Sequence, residues 1–380
     1  MAIPDARCVE LPRRESSAPS GGVGDLIRSA LEKPYRFEPL RRALTPEDKV
    51  ALVVDETVPE AAVAASAVMD HLSSAGIPIG AITILLPAGS RGDWVANLPD
   101  EYADAQTEVH DAIDRKRLAY LASTLSERRV YLNRTLVESD FVVAIGRRRF
   151  DADAGVAGGE DLLFPRFSDA ETIDSFRGRF RYKEASPSPD VSEVVALFGS
   201  PFFVQVIDDG TRVVEVLAGL PNSLVEGLRR HDRLWRHRLP ERPDTVVATV
   251  SPDPDFTELA AGAVNAARAV AKGGRIALLA PPVALEGEGI AILRGAEDPS
   301  EARKLLTAAR PDDWAACHLW TAVTRRARLY LTGLDEDRAE ELFATALNNV
   351  GELERFLESG DRILFLPNAH RTIVRTEDAT

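Results

Sequence analysis

The chain has 380 residues, of which 45% are hydrophobic, and its 46 basic and 60 acidic side chains give a net charge of −14. This length is enough for two domains with a buried core each. Because phosphate contacts need clustered Lys and Arg, the acidic balance argues against nucleic acid as a partner. The two cysteines, Cys8 and Cys317, cannot build a disulfide framework.

Targeting signals are also missing from the sequence pattern. The first residues lack the apolar stretch of a secretory signal, and no run approaches the roughly 18 to 20 apolar residues of a membrane span. We therefore expect a cytoplasmic protein with no membrane partner. Residues 1–22 are predicted to be a flexible N-terminal segment, and the sequence leaves the oligomeric state open.

From residue 23, apolar runs alternate with helix patterns. Strands are predicted at 50–54, 81–86 and 141–145, with an Ala-rich helix at 60–75 between the first two. Runs that are apolar on both faces are typical of parallel strands covered by helices. Ligands bind beyond the carboxyl ends of such strands, so residues 55–57, 89–91 and the segment from Gly146 should border one crevice.

A change of pattern marks the second half. Asp209-Gly210 predicts a hairpin turn between two antiparallel strands. The arginine-rich stretch 229–242 then separates an N-terminal α/β domain, 23–238, from a C-terminal α/β domain, 239–380. The C-terminal domain is predicted to contain strands at 245–250, 276–279, 327–331 and 362–366 and helices at 256–271, 299–309, 314–325 and 337–348. The helix at 314–325 is expected to pack in the core, because its apolar residues recur at helical spacing.

The most unusual segment is 146–163, GRRRFDADAGVAGGEDLL. The arginines at 147–149 could clamp an anion. Its carboxylates could hold Mg²⁺ or Ca²⁺ through Asp151, Asp153, Glu160 and Asp161. A charge run of this kind is also typical of a solvated loop whose acidic and basic side chains balance one another. The residues alone do not decide among these three interpretations.

Other catalytic motifs are scarce. The sequence has no dinucleotide or P-loop glycine fingerprint, no H-E-x-x-H pair and no G-x-S-x-G elbow. His110, beside Asp111, is a candidate general base, although a lone histidine is more often structural.

The order of several segments resembles the nickel-pincer lactate racemase family. These segments are EDKVALVVDETVPE, AGIPIGAITILLPAGSR, EVHDAID, VYLNRTLVESDFVVAIG and ARAVAKGGRIALLA, and the Gly155-x-x-Gly158-Gly159 spacing is the most specific feature. The resemblance covers about residues 48–371. It implies a two-domain α/β fold with parallel and mixed sheets covered by helices and a ligand cleft between the domains. It also implies a nickel-pincer nucleotide tethered to a lysine, with two histidines that exchange protons.

When the resemblance is carried over position by position, His110 matches one of the family's catalytic histidines. The position of the other catalytic histidine is occupied by Asp151. Asp161 falls on the tethering lysine and Arg177 near the histidine that binds nickel. Ser90-Arg91 replaces a His-Arg pair, while Gly158 and Gly159 keep the glycines beside the cofactor. A carboxylate cannot form the lysine attachment, and a guanidinium is not a plausible nickel ligand.

The sequence is therefore compatible with three hypotheses about the function of the protein. In the favoured hypothesis, the protein keeps the two-domain cleft but lacks the nickel cofactor. It either binds a small anionic ligand or serves as a non-catalytic partner. A bound anion would be surrounded by the arginines at 91, 147–149 and 177. In the second, it is a working 2-hydroxy acid racemase or epimerase that uses the nickel-pincer nucleotide. In the third, a hard metal on the carboxylates of 151–161 supports a different reaction.

Overall fold

The computed structural model describes residues 7–9, 11, 21–151, 155–176 and 189–376. Within these ranges two six-stranded sheets divide the chain into an N-terminal and a C-terminal unit, and three two-stranded sheets accompany them. Helices cover both large sheets, so the predicted α/β class with parallel and mixed sheets is confirmed. None of the helices in the described ranges is long and apolar enough to cross a membrane.

The N-terminal sheet has the order β11-β10-β7-β2-β3-β4. All neighbours are parallel except the β10–β11 pair. Its strands are β2 (Val50–Val54), β3 (Ile82–Leu86), β4 (Gln106–Val109), β7 (Phe141–Arg147), β10 (Phe202–Asp208) and β11 (Val213–Gly219). Every residue of β2 and β10 is buried, as expected for central strands with a helix layer on each face. The antiparallel β10–β11 pair confirms the predicted hairpin at Asp209-Gly210.

Six helices of the N-terminal unit lie in the described ranges. They are α1 (Val23–Glu32), α2 (Ala61–Ser74), α3 (Arg134–Glu138), α4 (Ala170–Phe176), α5 (Pro189–Phe198) and α6 (Ser223–Trp235). Two small hairpins stand outside the main sheet: β5 (Leu118–Ser123) with β6 (Arg129–Asn133), and β8 (Arg149–Asp151) with β9 (Gly155–Ala157).

The C-terminal sheet has the order β1-β17-β13-β14-β15-β16, with parallel neighbours throughout. Its strands are β1 (Cys8–Val9), β13 (Thr245–Thr249), β14 (Arg275–Leu279), β15 (Arg328–Leu331), β16 (Thr345–Ala346) and β17 (Ile363–Leu366). A separate parallel pair joins β12 (Arg236–Leu239) to β18 (Ile373–Thr376). The predicted domain boundary at 238 and 239 falls inside β12.

The helices that cover this sheet are α7 (Phe256–Ala269), α8 (Glu288–Gly295), α9 (Pro299–Ala309), α10 (Trp314–Thr324), α11 (Glu336–Glu341) and α12 (Val350–Glu358). In α10, Cys317, Trp320 and Val323 are fully buried, which confirms that this helix packs in the core. The indole nitrogen of Trp320 donates to the carbonyl oxygen of Leu342, 2.9 Å away, so the buried polar atom is satisfied.

Two predictions need correction. The helix predicted at 337–348 ends at Glu341, because Phe343 adopts a φ of +57° and Thr345–Ala346 then pair with β15. A left-handed residue interrupts a helix, and strand pairing outweighs the local helix propensity. Within the segment predicted as flexible, 1–22, Cys8–Val9 instead pair with Ile363–Leu364 at the edge of the C-terminal sheet.

The β8–β9 hairpin connects the two units. Although it follows β7 of the N-terminal sheet, Phe150 and Val156 are buried in the hydrophobic core of the C-terminal unit. The guanidinium carbon of Arg268, on α7, lies 5.2 Å from the centre of the Phe150 ring. Successive side chains of a strand point to opposite faces, so Arg149 and Asp151 face away from that core.

We predict that Phe150→Ala destabilises the protein by about 3 kcal/mol, the usual loss for a buried aromatic side chain. Urea denaturation would measure the free energy of unfolding. The control Phe365→Ala, at a residue that is 39% exposed, should lose less than about 1 kcal/mol. Equal losses for the two variants would contradict the packing of the hairpin against the C-terminal unit.

Candidate functional site

The strand order places a crevice at the carboxyl ends of β2 and β7. From β2 the chain proceeds to β3 and β4 on one side, while β7 lies on the other. Ligands in open α/β sheets bind at such a switch in strand order. Asp55 directly follows β2 and is only 2% exposed. Its Oδ1 accepts hydrogen bonds from the backbone nitrogen and the hydroxyl of Thr57, at 3.0 and 2.9 Å.

The second carboxylate oxygen of Asp55 faces two guanidinium groups. Oδ2 lies 3.9 Å from Nη2 of Arg149 and 3.8 Å from Nη1 of Arg166. These distances are too long for hydrogen bonds, and Oδ2 is buried without a donor among the described residues. Burial by itself would raise the pKa of Asp55, but Arg149, Arg166 and the bonds from Thr57 together lower it below its ordinary value.

The two acidic positions singled out in the sequence belong to the same network. Asp151 accepts a hydrogen bond from Nη1 of Arg149 at 2.8 Å. Asp161 accepts one from the backbone nitrogen of Gly159 at 2.8 Å, and its other oxygen lies 3.5 Å from Nη2 of Arg166. We call Asp55, Asp151, Asp161, Arg149 and Arg166 the Asp55 network.

The arginines at 147–149 do not form one clamp. Arg147 pairs with Asp208 at 2.7 Å, and Arg149 joins the Asp55 network. Arg148 is buried and donates to Oε1 of Gln205, at 2.6 and 3.0 Å, and to the carbonyl oxygen of Leu224. Burial lowers the pKa of Arg148 to about 10. The extended backbone sends alternate side chains to opposite sides, so the expectation of a joint anion clamp is wrong.

Gly158 and Gly159 lie against this arginine segment. A Cβ on Gly158, whose φ is +83°, would lie 2.2 Å from the carbonyl oxygen of Arg147. A Cβ on Gly159 would lie 2.5 Å from the guanidinium of Arg148. Close packing of the chain against itself therefore explains both glycines, independently of the cofactor-binding role that the resemblance implies.

The strand-end pair Ser90 and Arg91 follows β3. The Ser90 hydroxyl donates to Oε1 of Glu56, and the backbone nitrogen of Gly92 donates to the same oxygen at 3.0 Å. Glu56 thereby ties the loop after β3 to the loop after β2. Arg91 is exposed to solvent.

His110 follows β4 and is 3% exposed. Its Nε2 lies 2.8 Å from the carbonyl oxygen of Ser168, and its Nδ1 lies 3.4 Å from the amide nitrogen of Asn133. A neutral ring with the proton on Nε2 satisfies both contacts. Burial lowers the pKa of His110, against opposing effects from Ser168 and two nearby carboxylates. Both ring nitrogens are thus occupied by the protein in this arrangement, which is the bonding expected of a structural histidine.

The acidic side chains proposed for a hard metal have different partners. Asp151 binds Arg149, Asp161 faces Arg166, and Glu160 accepts from the hydroxyl of Ser192. Across the described ranges no three carboxylate, imidazole or thiol side chains are grouped to hold a metal ion. Asp153 and Arg177, which the sequence also singled out, lie outside the described residues.

Sequence reasoning missed a second set of charges, at the contact between the two units. Asp208 ends β10 and accepts hydrogen bonds from Arg147 and from Arg371, which precedes β18. The indole nitrogen of Trp235 donates to the Asp208 carbonyl oxygen at 2.9 Å. We call Arg147, Asp208 and Arg371 the interdomain seam. Asp208, Arg166 and Arg371 carry no sequence motif that would identify them.

An open cavity of about 370 Å³ adjoins this seam. Arg147 and Asp208 form part of its wall, together with Gly22 at the start of α1, Pro59 after β2 and Arg212 in the turn after β10.

One mixed and one parallel sheet, with paired charges beyond the carboxyl ends of their strands, define a two-domain α/β protein with a candidate ligand site beside the domain contact. Residues 1–186 match the family model described as the lactate racemase N-terminal domain. This match identifies residues 1–186 as a lactate racemase N-terminal domain.

Solved structures support the fold over both units. The structure of the lactate racemase apoprotein from Thermoanaerobacterium thermosaccharolyticum matches with a TM-score of 0.82 at 17% sequence identity, covering 99% of this chain and 97% of that one. A crystal structure of a protein from Thermotoga maritima matches with a TM-score of 0.67 at 14% identity, covering 93% and 98%. No curated protein matches the sequence.

We predict that Asp55→Asn lowers the free energy of unfolding by about 2 kcal/mol at pH 7, because it removes a buried charge between two guanidinium groups. The pKa of Asp55 is below its ordinary value of 3.8. The stabilisation is therefore complete above pH 3.8 and disappears as the pH falls through the lower value of the folded protein. Urea denaturation at several pH values would measure the difference between wild type and variant.

Asp25→Asn is the matched control, because Asp25 pairs with Arg28 on the exposed surface. It should change stability by less than about 0.5 kcal/mol at any pH. An Asp55→Asn variant as stable as wild type, or a loss that persists unchanged in acid, would contradict the role of the Asp55 network.

Proposed function

We propose that this protein is a lactate racemase-like binding protein that holds a small anionic ligand without the nickel-pincer cofactor. The observation that carries the proposal is the Asp55 network. Asp151 and Asp161, at the positions that the resemblance assigns to a proton-transfer histidine and to the tethering lysine, are both paired with arginines around one buried carboxylate.

The bonding of Asp161 supports the absence of a tethered cofactor. Attachment of the pincer needs an amine, whereas Asp161 offers a carboxylate with a backbone nitrogen on one oxygen and Arg166 near the other. No lysine takes part in the described contacts of the Asp55 network. These residues do not fit the cofactor group.

In the C-terminal unit, the residues at the positions of the family's cofactor and substrate contacts also argue against the nickel-pincer cofactor. The resemblance also implies a Tyr-Gln-x-x-Lys set that contacts cofactor and substrate, and in this chain those positions fall on Leu259, Ala260 and Ala263 of α7. These residues are at most 1% exposed and belong to the hydrophobic core. They have no polar group with which to bind a cofactor or a substrate.

The geometry around Asp55 favours a ligand that carries an acceptor and a donor together. Nη2 of Arg149 and Nη1 of Arg166 converge on Oδ2 of Asp55 without a hydrogen bond to it. The side chains of Arg149 and Arg166 are 21% and 25% exposed, so a solvent molecule or ligand can reach them. A carboxylate would accept from the guanidinium groups, and an adjacent hydroxyl would donate to Asp55, which is the pattern of a 2-hydroxy acid.

This proposal keeps the protein in the cytoplasm and assigns it no nucleic-acid or membrane partner. Scarce cysteine and the acidic composition support that location and partner set.

We predict that the protein binds lactate and that Arg166→Gln and Arg149→Gln each weaken binding by about tenfold or more, as expected when a charged hydrogen-bond donor is lost. Isothermal titration calorimetry with D-lactate and L-lactate would measure the dissociation constants. Propionate, which lacks the hydroxyl, should bind more weakly than lactate.

Arg134→Gln is the matched control, since Arg134 is exposed and pairs with Glu138 on the surface. Its lactate affinity should equal that of wild type. A wild-type protein that binds neither enantiomer, or an Arg166→Gln variant with unchanged affinity, would overturn the proposed ligand site.

A further inference from the structure

The C-terminal sheet has its own switch in strand order. From β13 the chain proceeds to β14, β15 and β16 on one side, while β17 lies on the other. The carboxyl ends of β13 and β17 therefore flank the position where open α/β sheets bind ligands. Ser251 follows β13, and His370 and Arg371 follow β17, so all three lie beyond this edge.

These polar residues form a connected cluster with Glu258, in the first turn of α7. The hydroxyl of Ser251 donates to Oε2 of Glu258. Oε1 of Glu258 lies 4.0 Å from Nε2 of His370. The same Nε2 lies 2.9 Å from Nε of Arg371. His370 thus lies between an anionic and a cationic side chain.

The contact with Arg371 fixes the tautomer of His370. A guanidinium nitrogen can only donate, so Nε2 of His370 accepts and the neutral ring carries its proton on Nδ1. Burial, with the nearby charges of Arg371 and Arg147, lowers the pKa of His370 to about 4, although Asp208 opposes the shift. The ring is therefore neutral at physiological pH.

The proton on Nδ1 has no acceptor within the part of the chain that the structure describes. His370 is 6% exposed, and its Nδ1 is buried without a hydrogen-bond partner among the described residues. A buried donor that lacks an acceptor is destabilising and is uncommon in folded proteins. Such a group calls for an oxygen atom that the described residues do not supply.

Polar contacts connect this edge to the N-terminal site. Arg371 donates to Asp208, Asp208 pairs with Arg147, and Nη1 of Arg147 lies 3.3 Å from the carbonyl oxygen of Thr57. Thr57 in turn binds Asp55. The two carboxyl edges thus meet at the interdomain seam.

We propose that the ligand site extends across the interdomain seam and that Nδ1 of His370 donates a hydrogen bond to an acceptor oxygen of the bound 2-hydroxy acid. This inference rests on the proposed function for the class of ligand. It makes His370 the contact of the C-terminal unit with the ligand, a role that the sequence did not indicate.

The test measures the affinity of lactate for the full-length protein and for two His370 variants. Only one of these variants places a nitrogen donor near the position of Nδ1. His370→Asn keeps an amide nitrogen near the position of Nδ1 and should retain most of the affinity. His370→Gln can place its amide oxygen near Nε2, where it still accepts from Arg371, but it leaves no donor at the position of Nδ1. It should bind lactate about three- to tenfold more weakly, the range for loss of one neutral hydrogen bond. His71→Gln is the control, because His71 is a buried histidine bonded to the backbone nitrogen of Arg41, in another part of the N-terminal unit.

A second readout uses the wild-type protein alone and does not depend on how the variants fold. With ¹⁵N-labelled histidine, lactate should shift the Nδ1 resonance of His370 and leave that of His71 unchanged. A His370→Gln affinity within twofold of wild type, or an Nδ1 resonance that lactate does not move, would show that only water meets this donor and would overturn the inference. If Arg166→Gln loses binding while His370→Gln does not, the proposed function stands and this inference fails. Absence of lactate binding by the wild type overturns both.

Discussion

The buried carboxylate of Asp55 constrains the whole candidate site. A charge that is only 2% exposed is stable only when opposite charges or hydrogen bonds compensate it. Thr57 satisfies one oxygen, while Arg149 and Arg166 stand on either side of the other. The two arginines in turn hold Asp151 and Asp161. A substitution at any of these positions leaves an uncompensated charge, which explains why acidic and guanidinium groups occur here together.

The β8–β9 hairpin transmits this constraint to the second unit. Arg149 and Asp151 belong to the Asp55 network, and Phe150 between them is buried in the core of the C-terminal unit. The position of one domain and the geometry of the site are therefore coupled through three consecutive residues. Asp208 adds a second connection, since it binds one arginine from each unit. Because fold alone does not determine function, these charges decide what the family's scaffold can do in this chain.

The sequence predicted most of the fold because the central strands carry local information. The run at 50–54 is buried at every position, and the Asp-Gly turn specifies its hairpin. The short strand at Thr345–Ala346 could not be predicted, because it depends on pairing with β15 and on the left-handed conformation of Phe343. At the site, Asp151 and Asp161 could be singled out by their positions. Arg166 and Arg371 could not be singled out, because they contact their partners only in the tertiary fold. The opposite direction of the Arg148 side chain could not be predicted either, because it depends on an extended backbone at 147–149.

The most direct test of the central claim is the composition of the protein made in cells that synthesise the nickel-pincer cofactor. Native mass spectrometry and metal analysis would be carried out beside a lactate racemase produced in the same cells, which must carry the cofactor. We expect this chain to have its unmodified mass and no stoichiometric nickel. A covalent adduct of a few hundred daltons together with stoichiometric nickel would contradict the interpretation that the Asp55 network has replaced the family's cofactor site.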